Sequence, residues 1–267
     1  MITKSLSHEE YLKKKRNKKL WKFGTILLSI LLVVGVFSYL SHRSEVRISK
    51  VELNGGVLVT QGDIESKVLE YMDGSYFWLF PKNNIFWYPH RSLKRYLQES
   101  FKRIDTIDIY RNGFQDLMIN IKEKKPFALW CKGFPNAEEG TCYFLDQNST
   151  VFAKAPNFSG DAYFKFYGIL PTTEDESPIG MEYMASTTLF SEISNFVTKT
   201  KELSLRPIYL IAQDNGDFSL NLVGGGEIYF DTKEPLSRVG ENLEVLLRTK
   251  TFASSTGNFI IEYIDLR

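Results

Sequence analysis

The chain has 267 residues, with 33 Lys and Arg against 32 Asp and Glu, and a formal net charge of +1. Residues 1–22 hold eight Lys or Arg against Glu9 and Glu10, a local charge of +6, which leaves −5 for the rest. A large, slightly acidic remainder argues against nucleic acid as a partner.

The basic tail is followed by an uncharged run of eighteen residues, Phe23 to Leu40, FGTILLSILLVVGVFSYL. A spanning helix needs about 20 apolar residues. Trp21 and Tyr39 suit the two interfaces, and Lys22 can snorkel at the near edge. A secretory signal has an apolar core of only about 7–15 residues, and Ser38-Tyr39-Leu40-Ser41 is a poor cleavage site. A buried core helix would show a polar face. The run is therefore read as a single transmembrane helix. The basic tail is then cytoplasmic by the positive-inside rule, where it also meets anionic lipid, and the C-terminal part lies outside.

Beyond a polar linker, Ser41 to Glu45, a strand is expected over Val46–Leu53, ended by Asn54-Gly55-Gly56. Thr60-Gln61-Gly62-Asp63 fits a capping box. It opens a helix with Ile64, Val68 and Met72 on one face, Leu69 and Tyr71 beside them, and a stop at Asp73-Gly74. Ser75 to Pro89 carries seven aromatic residues. They suit a partner-docking surface, core packing between helices, or contact with the nearby membrane. A second helix is expected over Arg91–Ser100. Ile104, Ile107 and Ile109 mark a strand, Asn112-Gly113 a hairpin turn, and Leu117, Ile119 and Ile121 the returning strand. The order β-α-α-β-β implies a small α+β layer with helices on one sheet face.

Pro126 keeps the chain extended into Phe127–Cys131. A ten-residue loop returns to Cys142-Tyr143-Phe144-Leu145-Asp146. Cys131 and Cys142 are the only cysteines, and both fall on the exported side. One disulfide is the favoured reading; a metal site lacks a neighbouring His, and two separate buried thiols remain the alternative. Short strands are expected at Val151–Ala153 and Tyr163–Tyr167, and a helix over Ser186–Leu203. Further strands are expected at Ile208–Ala212, Phe218–Leu222 and Glu227–Phe230, then a helix over about Pro235–Thr249 and a strand over Phe259–Arg267. This reads as a second, sheet-dominated α+β domain.

Catalytic chemistry is hard to assemble. His8, His42 and His90 cannot be placed together, there is no G-x-S-x-G elbow, and Gly224-Gly225-Gly226 lacks the Lys-Ser/Thr of a phosphate loop. Asp214 with Asp217, and Asp175 with Glu176, read as solvated loop acids. No enzyme activity, cofactor, metal or small-molecule substrate is expected. An anchored envelope hydrolase would need carboxylates or a nucleophile gathered from distant parts of the fold.

Several segments, taken in order, resemble one family. They are a basic tail and one spanning helix, then Val51-Glu52-Leu53-Asn54-Gly55 with Thr60 and Asp63-Ile64. Ile109-Tyr110-Arg111 follows, with Leu117 through Trp130 (LMINIKEKKPFALW). Tyr143-Phe144-Leu145-Asp146 with Val151-Phe152, and Tyr263-Ile264-Asp265-Leu266-Arg267, complete the set. The order and spacing resemble the bacterial cell-division proteins FtsQ and DivIB. Asn112-Gly113-Phe114 stands where the family commonly has Pro after the Arg, and many members run on past the last strand.

The resemblance implies a tail at 1–22, a transmembrane helix at 23–40, a POTRA-type domain at 46–125 and a β-rich domain at 126–267. It implies a divisome scaffold in the cytoplasmic membrane at the septum. Its partners would be FtsB/FtsL-like single-pass coiled-coil proteins bound on the outer side. The alternative is a POTRA module for envelope assembly or polypeptide capture outside division. A last strand at a sheet edge offers backbone groups to a partner strand. Ile261 and Tyr263 would then present one face and Ile260 and Ile264 the other, unless the strand is interior and paired on both sides.

Overall fold

The computed structural model describes residues 8–133, 135, 140–158, 162–168, 170, 177–213, 215–249 and 261–267, with side chains from residue 13. It is a mixed α+β structure with one N-terminal apolar helix and a sheet-rich remainder. Two compact units divide it, Met1–Phe101 with Thr106–Lys122, and Lys102–Asp105 with Glu123–Arg267.

Helix α1 spans His8–Ser41, 34 residues, so it takes in the basic tail from His8 onward as well as the apolar run. Its Lys13–Ser41 stretch is long and apolar enough to cross a membrane. The lipid-length stretch has its large apolar side chains exposed, as a helix solvated by hydrocarbon requires.

In the first unit, β1 (Lys50–Asn54), β4 (Ile104–Asn112) and β5 (Asp116–Glu123) form a sheet in the order β1-β5-β4, with β1 parallel to β5. The strand expected from Val46 begins four residues later. Backbone groups of residues 46–49 go elsewhere: Ile85 N–H donates to the Val46 carbonyl, Ile48 N–H to Asn83 and Ser49 N–H to Gln115. Helices α2 (Gln61–Tyr71) and α3 (His90–Ser100) cover the sheet. The capping box at α2 is reciprocal: Asp63 N–H donates to Thr60 Oγ1 and Thr60 N–H to Asp63 Oδ2, both at 3.3 Å. Ile64 and Val68 from α2, with Met72 at its C-terminal cap, join Leu93 and Leu97 from α3 over Val51, Ile107, Leu117 and Ile119. Leu69 is exposed instead. Gly55 has φ +85°, and a Cβ there would lie 2.1 Å from the Ile121 carbonyl oxygen, so only glycine lets the chain pass β5. A short hairpin, β2 (Ser75–Tyr76) with β3 (Phe80–Pro81), is set between the helices in sequence.

The second unit carries β6 (Ala128–Cys131), β7 (Cys142–Leu145), β8 (Val151–Lys154), β9 (Lys165–Tyr167), β10 (Pro207–Ala212), β11 (Phe218–Leu222), β12 (Glu227–Phe230) and β13 (Tyr263–Asp265). They form one sheet in the order β13-β12-β11-β10-β9-β6-β7-β8. Helices α4 (Thr187–Glu202) and α5 (Leu236–Leu247) cover one face. Phe190, Ile193 and Phe196 of α4 and Val239 and Leu243 of α5 meet Leu210, Leu220, Ile228 and Phe230 of the strands. The opposite face of β6–β9 has its own smaller core, built from Leu129, Phe144, Phe152 and Tyr167 under Phe158 and Tyr163.

Candidate partner-docking edge

Strand β13 is the last strand of the eight-stranded sheet. Among the described residues no strand lies beyond it. It runs parallel to β12, with Tyr263 opposite Glu227, Ile264 opposite Ile228 and Asp265 opposite Tyr229. Glu227 N–H donates to the Glu262 carbonyl at 3.1 Å and Leu266 N–H to the Tyr229 carbonyl at 2.8 Å. In a parallel ladder alternate residues bond inward, here 262, 264 and 266. The main-chain N–H and C=O of Tyr263 and Asp265 therefore point to the open edge.

The four residues expected to receive a partner are placed unequally. Tyr263 is 67% exposed. Ile264 is 5% exposed and packs into the core beneath α5. Ile261, at 9%, belongs to the same core. The expected pairing of Ile261 with Tyr263 on one face therefore does not hold. A bend at Glu262 breaks the alternation and lets Ile261 turn inward beside Ile264. Ile260 lies outside the described residues. What β13 offers is backbone and Tyr263, not isoleucine side chains.

Gly226 explains how the chain reaches this edge. A Cβ at Gly226 would lie 2.4 Å from the Ile261 carbonyl oxygen. The glycine run thus serves the β11–β12 turn and also admits the backbone that leads into β13.

The far end of β13 is clamped by charge. Arg267 Nη2 donates to Asp265 Oδ2 and Arg267 Nη1 to Asp217 Oδ2, each at 2.7 Å. Arg267 Nε also reaches Asp265 Oδ1 at 2.9 Å, and the guanidinium lies 5.7 Å over the Tyr229 ring. These hydrogen bonds pull the Asp265 carboxyl down to about 2 and push the arginine further up.

On the sheet face away from the helices, two rows of side chains lead to the edge. One runs Ile211, Ser219, Tyr229 and Asp265; the other Tyr209, Asn221, Glu227 and Tyr263. Tyr229 Oη donates to Glu227 Oε2, and this bond to the carboxylate raises the phenol's pKa. Asn221 Nδ2 donates to Ser219 Oγ at 3.1 Å. The face is aromatic and polar, as protein-docking surfaces commonly are. Tyr209, Glu227 and Tyr229 escape a reading from sequence because only strand order brings them beside Tyr263. Their alternation with Leu210, Ile228 and Phe230 is the one local signal.

Cys131 and Cys142 lie directly opposite each other at the β6–β7 neck and form a disulfide, with Cα atoms 4.0 Å apart. Among the described residues no group of three His, Cys, Asp or Glu gathers as a metal site needs. His42 Nδ1 contacts the Ser38 carbonyl at 2.8 Å, and His90 Nε2 the Ile109 carbonyl at 3.3 Å. Of the loop acids, Asp175, Glu176 and Asp214 lie outside the described residues. A scan against protein-family models finds no match to the chain, and no curated protein matches it.

Proposed function

We propose that this chain is a single-pass scaffold of the bacterial division machinery, of the FtsQ/DivIB kind, and not an enzyme. Helix α1 holds it in the cytoplasmic membrane with the basic end inside. The two outer units then stand where single-pass partners of the FtsB/FtsL kind can meet them. The partner adds a strand to β13, bonding to the outward backbone of Tyr263 and Asp265 and packing on the Tyr263–Tyr229 face.

The edge position of β13 is the observation that carries this reading. The order β1-α2-α3-β4-β5, interrupted by the β2–β3 hairpin, with β1 parallel to β5, supports a POTRA-type assignment for residues 46–125. The spacing of the motifs supports the family. Charge at Asp265 and Arg267 flanks the open backbone, a common guard against unwanted edge pairing.

A fluorescent fusion tests the cellular role. Septal enrichment is expected, and uniform membrane signal would favour the envelope-assembly alternative. Pull-down of the full chain with FtsB/FtsL-like proteins tests the edge. Tyr263→Pro removes an outward N–H at an edge position that tolerates proline, so the fold should persist while capture is lost. Undiminished capture by a folded Tyr263→Pro protein would remove β13 as the docking strand.

A further inference from the structure

The β2–β3 hairpin has a feature the docking edge does not use. Its turn is made by Phe77 and Trp78, which are 88% and 94% exposed. Both have positive φ, 49° and 60°. Glycine and asparagine normally supply that conformation in hairpin turns. Leu79 N–H closes the turn onto the Tyr76 carbonyl at 3.0 Å. Two bulky rings are thus held at the tip of a tight turn, in a backbone state that disfavours them, with no covering side chain among the described residues.

The tip lies beside the end of the apolar helix. Ser38 Oγ, in the last turn of α1, donates to the Leu79 carbonyl at 2.7 Å. Buried Asn84 donates to the Ser41 carbonyl at 3.1 Å, fixing the following loop to the same helix end. The β4–β5 turn comes to the same place: Gln115 Nε2 donates to the Ser44 carbonyl at 2.9 Å, and Phe114 and Phe86 rings meet at 6.0 Å. Both Phe114 and Phe86 are exposed. Around them the segments 41–49 and 75–89 carry His42, Arg43, Arg47 and Lys82 against one acid, Glu45. Apolar rings with basic residues beside them match an interfacial belt, in which aromatics sit at headgroup level and cations meet lipid phosphate.

We propose that Phe77 and Trp78 insert into the lipid interface at the exit of α1, making the β2–β3 hairpin a second membrane contact. The occupant is lipid because the tip is hydrogen-bonded to the last turn of the helix that enters the bilayer. This rests on α1 spanning the membrane, not on the docking role of β13. The hairpin, with Asn84, would fix the tilt of the first unit at the membrane, where a lone helix would leave it free to swivel.

The full chain, reconstituted in phosphatidylcholine–phosphatidylglycerol vesicles, is compared with Trp78→Phe and with Trp21→Phe. Each difference spectrum reports one tryptophan, and brominated lipid and aqueous iodide are the quenchers. Phenylalanine keeps the tip apolar, and neither side chain is buried, so both variants should fold. Brominated lipid should remove roughly half or more of the Trp78 signal, and of the Trp21 signal, because both rings lie at interface depth. Trp21 quenched by lipid with Trp78 quenched only by iodide would overturn the proposal and leave the anchor intact. Trp78 shielded from both quenchers would place the tip on protein and also overturn it. Neither tryptophan reached by lipid would refute the spanning helix, and the proposal with it.

Discussion

Arg267 donates to Asp217 at 2.7 Å across 50 residues of sequence, joining the end of β13 to the residue that precedes β11. Strand β12 lies between them, so the pair staples the edge strand across its neighbour. The Asp217 side chain is 14% exposed but the Arg267 side chain 40%, so water screens the arginine end of the pair and limits its contribution to global stability. Arg267→Gln should leave the melting temperature nearly unchanged. It should speed amide exchange at Ile264 and Leu266 and weaken partner capture. A large drop in melting temperature would contradict this local role.

The clamp has a defined pH range. The Asp265 carboxyl is held down at about 2 by Arg267, below its unfolded value. A depressed carboxylate contributes fully above the unfolded pKa of about 3.9 and loses its contribution as pH falls toward 2. Exchange at Leu266 should therefore show no step from Asp265 between pH 8 and 5, and should open as pH drops through 4 to 2. Asp265→Asn should abolish that acid step. An equal step in the variant would assign it to another carboxylate.

Gly226→Ala puts a methyl group where the Ile261 carbonyl now lies, 2.4 Å away. Backbone must shift, because a contact that short is not sustained. The β11–β12 hairpin should survive, with its register from Phe218↔Phe230 to Asn221↔Glu227, while β13 detaches. Nuclear magnetic resonance would show losses confined to residues near 261–267. Partner capture should fall with them.

Asp146 joins two of the motifs that carry the family resemblance. Its carboxylate accepts from Lys124 Nζ at 2.6 Å and from the N–H groups of Asn148 and Thr150, each at 2.9 Å. Side-chain exposure is 17% for Lys124 and 9% for Asp146. Asp146→Ala strands a mostly buried ammonium and two amides, at a cost of about 2–4 kcal/mol. Asp146→Asn keeps an acceptor for the turn and loses the charge pair, so about 1–2 kcal/mol is expected. Equal losses in denaturant melts would mean the lysine pair, not the turn amides, sets the cost.

The disulfide closes a loop of separation 11. Loop-closure entropy for that length gives about 2–3 kcal/mol. Cys131→Ala with Cys142→Ala should lower the melting temperature by roughly 4–12 °C in a unit of this size. The eight-stranded sheet should remain, since Leu129, Phe144 and Phe152 still close the core on that side.

Local signals were legible in the chain and non-local ones were not. Thr60 and Asp63 are three residues apart and settle a cap between themselves, so the start of α2 is readable. Ile64, Val68 and Met72 repeat at helical spacing for the same reason. Strand order is different: β12 pairs with β13 across a helix, and β6 with β9 across two other strands. No composition rule encodes those neighbours. Phe77 and Trp78 hide a turn because they occupy positions where glycine or asparagine is the usual signal. Ile261 misleads because alternation assumes an unbroken strand, and Glu262 bends it. Ser149, with φ 67° and its hydroxyl accepting from Met184 N–H at 2.8 Å, is a further position where packing overrides local preference.

Strand addition at β13 is tested most directly by residue-resolved amide exchange of the full chain, with and without an FtsB/FtsL-like partner. The N–H groups of Tyr263 and Asp265 point outward when the protein is alone, whereas Ile264 and Leu266 are already bonded to β12. Binding should slow exchange at Tyr263 and Asp265 by roughly tenfold or more, with little change at Leu266. Saturating partner with Tyr263 and Asp265 still exchanging at their free rates would contradict docking at this edge.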